Sequence, residues 1–183
     1  MTTKRFIPIC LIVLATLLLV FPSATLADEV FVDCRNNSGI EDGTIDHPYK
    51  TMQAAIIAAY DGDTIRAADC IYSEAIVVNK DIEIYGSGPD VTEINSTASA
   101  EDAAVQIGSN REVTIKDFKI VGSLYGVSAM EYSAPIVANC IVNAPYCIWV
   151  GSQNGVNITI KNNTIASCQI EAIHLYRYAA WRC

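Results

Sequence analysis

Trp149 lies between Ile148 and Val150, and His174 lies between Ile173 and Leu175. Gln106 and Ser128 sit the same way, flanked by Val105 and Ile107 and by Val127 and Ala129. Strict alternation of this kind marks a strand with one buried face. If the aliphatic neighbours point inward, Gln106, Ser128, Trp149 and His174 point outward. Tyr132, Gln153, Tyr176, Arg177 and Tyr178 follow just beyond. An indole face stacks on the apolar face of a sugar. A guanidinium holds a sugar carboxylate as a two-pronged fork. The competing use of such a tryptophan is to pack under a neighbouring loop or against a partner.

Catalysis asks for more than these residues offer. Lyase chemistry needs carboxylates clustered on Ca²⁺ and a base that abstracts a proton. Hydrolysis of a glycoside needs two carboxyl groups facing each other at a set separation. Glu131 and Glu171 are the acids near the outward residues, and His174 and Arg177 the bases. They form no cluster, so no catalytic residue is named. Asp33, Glu41, Asp42, Asp46, Asp61 and Asp63 crowd one end of the sequence. Their spacing matches no calcium loop and reads as solvated turn acids, so no cofactor or metal is assigned. Asn-x-Ser/Thr acceptor sites begin at Asn36, Asn95, Asn157 and Asn162. They matter only in a glycosylating host.

The elements that must carry the outward residues repeat. Residues 113–120 align with 135–142, and those with 158–165, at steps of 22 and 23. Each copy follows a second alternating strand, which makes three short strands per repeat. Asp117, Asn139 and Asn162 fall on one column, and Gly86 fits it one repeat earlier. Asp, Asn and Gly enter the left-handed backbone region at least cost, so the column reads as one sharp bend made on every turn. Three strands, one bend and a repeat of this length describe a right-handed parallel β-helix of about four to five turns. Its inward columns are Val105, Ile107, Val127, Ile148, Val150, Ile173 and Leu175.

A solenoid end exposes its core and needs a cover. Residues 49–60 place Met52, Ala55, Ile56, Ala59 and Tyr60 on one helical stripe. Pro48 opens that helix and the Asp61-Gly62-Asp63 turn closes it. It is the natural cap of the first turn.

Residues 43–88 carry a resemblance. Gly43-Thr44, Pro48-Tyr49-Lys50-Thr51-Met52-Gln53, Ala55, Gly62-Asp63-Thr64-Ile65, Tyr72-Ser73-Glu74 and Gly86-Ser87-Gly88 resemble the opening of secreted β-helix proteins of the pectin-lyase-like superfamily. That superfamily holds polysaccharide lyases, glycoside hydrolases, epimerases and adhesins. Its reactive groove usually runs along outward positions of the strand before the first bend. The resemblance therefore points to Gln106, Ser128, Trp149, His174 and Arg177 as a ligand-binding set. It implies a polysaccharide or cell-surface partner, or, as the alternative, a carbohydrate-active enzyme or a fragment of one. Such domains usually hold more turns, so a short or truncated member is expected, or one whose open end a partner covers.

The chain starts with an address. Lys4 and Arg5 precede an apolar run from Phe6 to Phe21, and Thr25-Leu26-Ala27 supplies a cleavage site. Residues 1–27 read as a secretory signal peptide, which expects a secreted, extracellular or periplasmic protein with no membrane span after cleavage. Residues 28–74 then form the loop, cap helix and first strands, and residues 75–183 the repeats. Six cysteines remain, and an even count in an exported chain reads as disulfides. Cys34 and Cys70 flank the cap helix and are the expected pair. Loss of Lys4 and Arg5 leaves 10 basic against 20 acidic residues. Residues 28–102 hold 16 of those acids and residues 103–183 hold 4. A net charge this negative argues against nucleic acid as a partner.

Overall fold

A computed structural model describes residues 28–97, 103–152 and 155–177. The signal segment, Gln153, Tyr178 and Cys183 lie outside those residues. The chain opens with β1 (Glu29–Val32), a strand its short alternation did not mark, and a helix α1 (Met52–Ala58). The first turn is β2 (Thr64–Ala67), β3 (Ile71–Tyr72) and β4 (Ile76–Val78). The second is β5 (Glu83–Tyr85), β6 (Glu93–Asn95) and β7 (Ala103–Ile107). The third is β8 (Thr114–Lys116), β9 (Lys119–Val121) and β10 (Tyr125–Ala129). The fourth is β11 (Ile136–Ala138), β12 (Ile141–Asn143) and β13 (Tyr146–Ser152). The fifth is β14 (Thr159–Lys161), β15 (Thr164–Ile165) and β16 (Glu171–Arg177).

Equivalent strands stack into three parallel sheets. The first runs β1-β2-β5-β8-β11-β14, the second β3-β6-β9-β12-β15, and the third β4-β7-β10-β13-β16. This is the expected parallel β-helix, with five turns. Ile115, Val137 and Ile160 align on successive turns, as the repeat implies. Ile84 and Ile115 also align, although the chain takes a longer route between them. Part of the extra length lies in the described passage between β5 and β6, outside the ladders.

The three-residue strands of the first two sheets each turn one residue into the core, and the longer strands of the third sheet turn two, as Val105 and Ile107 show. Ile65, Ile84, Ile115 and Val137 from the first sheet are fully buried. They meet Ile94, Ile120 and Val142 from the second and Ile76, Val105, Val127 and Ile148 from the third. Ile173 and Leu175 depart from expectation: they are 43% and 69% exposed. Their alternation is right, but no described strand lies beyond β16 to cover them.

The bend between the first and second sheets is left-handed at Asp117 (φ 64°), Asn139 (φ 53°) and Asn162 (φ 54°). Gly86 stands in the same column: its N–H donates to the Lys116 carbonyl at 2.9 Å, as that of Asn139 does to Lys161 at 3.1 Å. Its φ is not positive, so its reason differs from the one expected. A Cβ there would lie 2.2 Å from the Asp117 carbonyl oxygen. Glycine is required by close approach of the next turn.

Helix α1 is shorter than its apolar stripe. Thr51 keeps an extended backbone and its hydroxyl accepts from the Ala54 N–H at 3.2 Å, which makes it the N-cap. The Glu74 carboxylate accepts the N–H groups of Met52 (2.8 Å) and Gln53 (3.1 Å). Gln53 in turn holds both backbone groups of Val77. Lys80 donates to the carbonyls of Ile57 and Ala59 at the other end. Met52, Ala55 and Ile56 are buried, and α1 packs on β1, β2 and β4. The polar residues of the opening motif therefore tie the cap to the first turn. Glu74→Ala leaves two helix N–H groups without their acceptor and should cost about 1–2 kcal/mol in denaturant unfolding. Glu41→Ala removes one acceptor, for the Lys50 N–H at the exposed surface, and should cost less.

Cys34 pairs with Cys70, as expected, and Cys147 with Cys168. Cys140 departs from the even count: it is a free thiol, buried in the core. Its sulfur lies 3.2 Å from the Ala138 carbonyl, and burial pushes its pKa up to about 11.

Candidate functional site

The outward column of the third sheet is in register. Val77 pairs with Gln106, Gln106 with Ser128, Ser128 with Trp149, and Trp149 with His174. Arg177 pairs through its backbone with Ser152, further along the same strands. The structure thus brings Gln106, Ser128, Trp149 and His174 onto one line. Gln106 and Trp149 are half-buried, whereas Ser128 is only 3% exposed. Ser128 forms floor between its neighbours instead of a contact group.

Two tyrosines complete the site, and sequence reasoning missed them. Tyr125 pairs with Tyr146 on adjacent turns, with ring centres 5.3 Å apart. The Trp149 ring lies 5.5 Å from that of Tyr125, and the His174 ring meets Tyr146 edge-on at 5.6 Å. Four rings therefore form one continuous platform over three turns. Spacing hides them: each tyrosine stands two residues before a buried aliphatic, Val127 or Ile148, so strict alternation would turn it inward.

Local backbone explains how the rings are held. The indole of Trp149 lies across Gly151, where a Cβ would fall 1.9 Å from its six-membered ring. Only glycine leaves that space. Beneath the platform, the Cys147–Cys168 disulfide joins β13 to the segment leading into β16. It fixes the two strands that present Trp149 and His174. On β16 itself, the Glu171 carboxylate sits against Nδ1 of His174 and orients the imidazole.

The other sequence candidates fall elsewhere. Tyr132 is exposed in the turn after β10, with a left-handed backbone (φ 58°). The crowded acids do not converge, and all but Asp46 accept from a donor of their own. Asp33 binds Arg35, and that hydrogen bond holds its carboxyl below the usual range. Asp42 accepts from Thr44, Asp61 from the Asp81 N–H, and Asp63 from those of Tyr60 and Asp28. Among the described residues no three His, Cys, Asp or Glu side chains converge on one point. Asn36 hydrogen-bonds to the Ile40 and Pro48 carbonyls, and Asn162 is a bend residue, so structure accounts for both. No helix among the described residues is long and apolar enough to cross a membrane.

The platform can do two things chemically. Its half-exposed rings offer apolar faces with hydroxyl and imidazole groups at their edges. Its Glu171–His174 pair can hold a proton at one place. A family model described as a right handed beta helix region matches residues 29–180. No curated protein matches the chain.

Proposed function

The chain belongs to the right-handed β-helix family, and from that premise we propose that it is an exported binding module whose third sheet contacts polysaccharide. The observation that carries this reading is the ring platform of Tyr125, Tyr146, Trp149 and His174. Turns of the helix repeat every ~4.8 Å, close to the ~5 Å length of one sugar unit, so a stacked column can follow a glycan chain. Trp149 and the tyrosines supply stacking faces, and Arg177 on β16 adds a positive charge for an acidic sugar. The two disulfides suit an extracellular or periplasmic setting reached through a signal peptide. The opening motif supports kinship with the pectin-lyase-like superfamily. A cell-surface protein is the other partner such a platform fits.

Trp149→Ala should weaken binding to pectin-like or neutral polysaccharide by about tenfold, since one lost stacking contact is worth about 1–2 kcal/mol. A glycan array followed by pull-down with wild type and variant measures it. Equal binding by both proteins, or binding by neither, removes the carbohydrate reading and leaves Trp149 as a packing or partner residue. The second reading is a lyase or hydrolase. The Glu171 carboxylate on His174 favours it, because it places an oriented base beside the platform. Release of unsaturated or reducing ends from the glycans that bind decides between the two.

A further inference from the structure

The outer face of the first sheet carries a pattern with a period of two turns. Strands β2, β8 and β14 read Thr64-Ile65-Arg66, Thr114-Ile115-Lys116 and Thr159-Ile160-Lys161. The strands between them read Glu83-Ile84-Tyr85 and Ile136-Val137-Ala138. The central residue of each triplet faces the core, so the first and third face outward. Register places Arg66, Tyr85, Lys116, Ala138 and Lys161 in one line, with Thr64, Glu83, Thr114, Ile136 and Thr159 beside it. A cation and a hydroxyl-bearing threonine thus recur on every second turn.

The line is ordered by its own contacts. The Tyr85 ring lies between two cations: the Arg66 guanidinium is 4.7 Å and the Lys116 ammonium 5.1 Å from its centre. Such contacts hold long, flexible side chains in place, which lowers the cost of ordering them on binding. Two acids beside the line are engaged. Glu29 pairs with Arg66 at 2.9 Å and Glu83 accepts from the Tyr85 hydroxyl at 2.7 Å. Lys116 and Lys161 form no ion pair with another described residue. Alongside runs a groove of about 780 Å³, lined by Thr64, Thr114, Thr159 and Asn157, with Asp81 and Glu112 on its wall.

We infer that this face is a second binding site, separate from the ring platform, for a linear polysaccharide with an anionic group on every second sugar. Two turns span ~9.6 Å, which matches two sugar units of ~5 Å each, so Lys116 and Lys161 each meet one anionic group, while Arg66 stays with Glu29. Thr64 and Thr159 meet sugar hydroxyls beside them, and the almost buried Thr114 forms floor. A uniformly acidic chain would place every other carboxylate opposite Tyr85 or Ala138, where it finds no cation of its own. Each strand of a DNA duplex carries a charge every ~3.4 Å and is mismatched to cations this sparse, and a single strand bears a charge on every nucleotide, more than these cations can meet.

Affinity electrophoresis of the mature chain tests the site, with four probes: hyaluronan, polygalacturonate, neutral dextran and single-stranded DNA. Hyaluronan carries a carboxylate on alternate sugars and should retard the protein most, with the effect fading as salt rises. The double variant Lys116→Gln/Lys161→Gln should bind hyaluronan about tenfold more weakly, the sum of two exposed charge contacts. Lys50→Gln, an exposed change outside this face, should bind as wild type does. Trp149→Ala should also leave hyaluronan binding unchanged, which separates this site from the platform. The inference is overturned if hyaluronan does not bind. It is equally overturned if polygalacturonate or DNA binds as well, if the double variant matches wild type, or if Lys50→Gln loses as much.

Discussion

Ile115→Ala should lower the unfolding free energy by about 3–4 kcal/mol, within the range for truncating a fully buried isoleucine. Ile115 occupies the central rung of the first sheet. It is stacked between Ile84 below and Val137 above, and it has no exposed surface. A hole there removes packing from both neighbouring turns at once, and a solenoid rung cannot move sideways to fill it. Ile136→Ala is the matched control. Ile136 lies one residue before the core position on the next turn and is 38% exposed. It should cost about 0.5 kcal/mol or less. Denaturant midpoints for the two variants measure the contrast. Equal costs would mean that the inward column does not bear the stability of the stack.

The joint substitution Cys34→Ala/Cys70→Ala should cost a similar amount, roughly 3–4 kcal/mol on the chain-entropy account of a cross-link. The bridge spans a sequence separation of 36 that includes the polar loop and α1. That loop holds its shape through surface hydrogen bonds from Asn36, Ser38, Asp42 and Thr44, with little buried apolar area. Its order therefore leans on the covalent closure more than that of the stacked turns does. Denaturant midpoints of oxidised wild type and of the double variant, both with Cys147–Cys168 intact, measure the effect. A variant as stable as oxidised wild type would show that the loop is ordered without the bridge.

The bend column was legible because left-handed backbone admits few residue types. Asp117, Asn139 and Asn162 advertised it directly. Gly86 was legible as a member of the column, yet its cause lay in the next turn, where the Asp117 carbonyl fills the space of a side chain. Contact between turns leaves no local mark. Ile173 and Leu175 show the same limit in burial. Alternation reports which side a residue faces, and the covering turn decides whether that side is dry. The cap helix starts late because the backbone of Tyr49 pairs with β1, donating to the Phe31 carbonyl and accepting from the Asp33 N–H, and Thr51 and Glu74 then cap the first helical N–H groups. Cys140 spoiled the even count because a thiol also serves as a small core residue.

For the site, the column of Gln106, Ser128, Trp149 and His174 could be read from aliphatic flanks. Tyr125 and Tyr146 could not be read that way. Glycine, proline or cysteine stands beside each of them instead of a pair of aliphatics. Their part in the platform comes from register across turns. Ser128 faces outward as its alternation implies, but its larger neighbours leave it almost no surface. The paired use of Tyr85 by Arg66 and Lys116 is likewise invisible along the chain, since the three residues come from three successive turns.

The uniform bend from Asp117 to Asn162 has a consequence for how such a chain can change over generations. Any rung there presents the same upper and lower surface, so a tandem duplication of one repeat in the coding sequence would insert a copy that fits both neighbours. The rod would lengthen by one sugar-sized step and keep its reading frame of inward and outward residues. Insertions of other lengths can be expelled sideways, as the longer passage between β5 and β6 already is. Growth by whole units and decoration by loops are thus independent edits. A lineage could extend its outward columns without redesigning the interior.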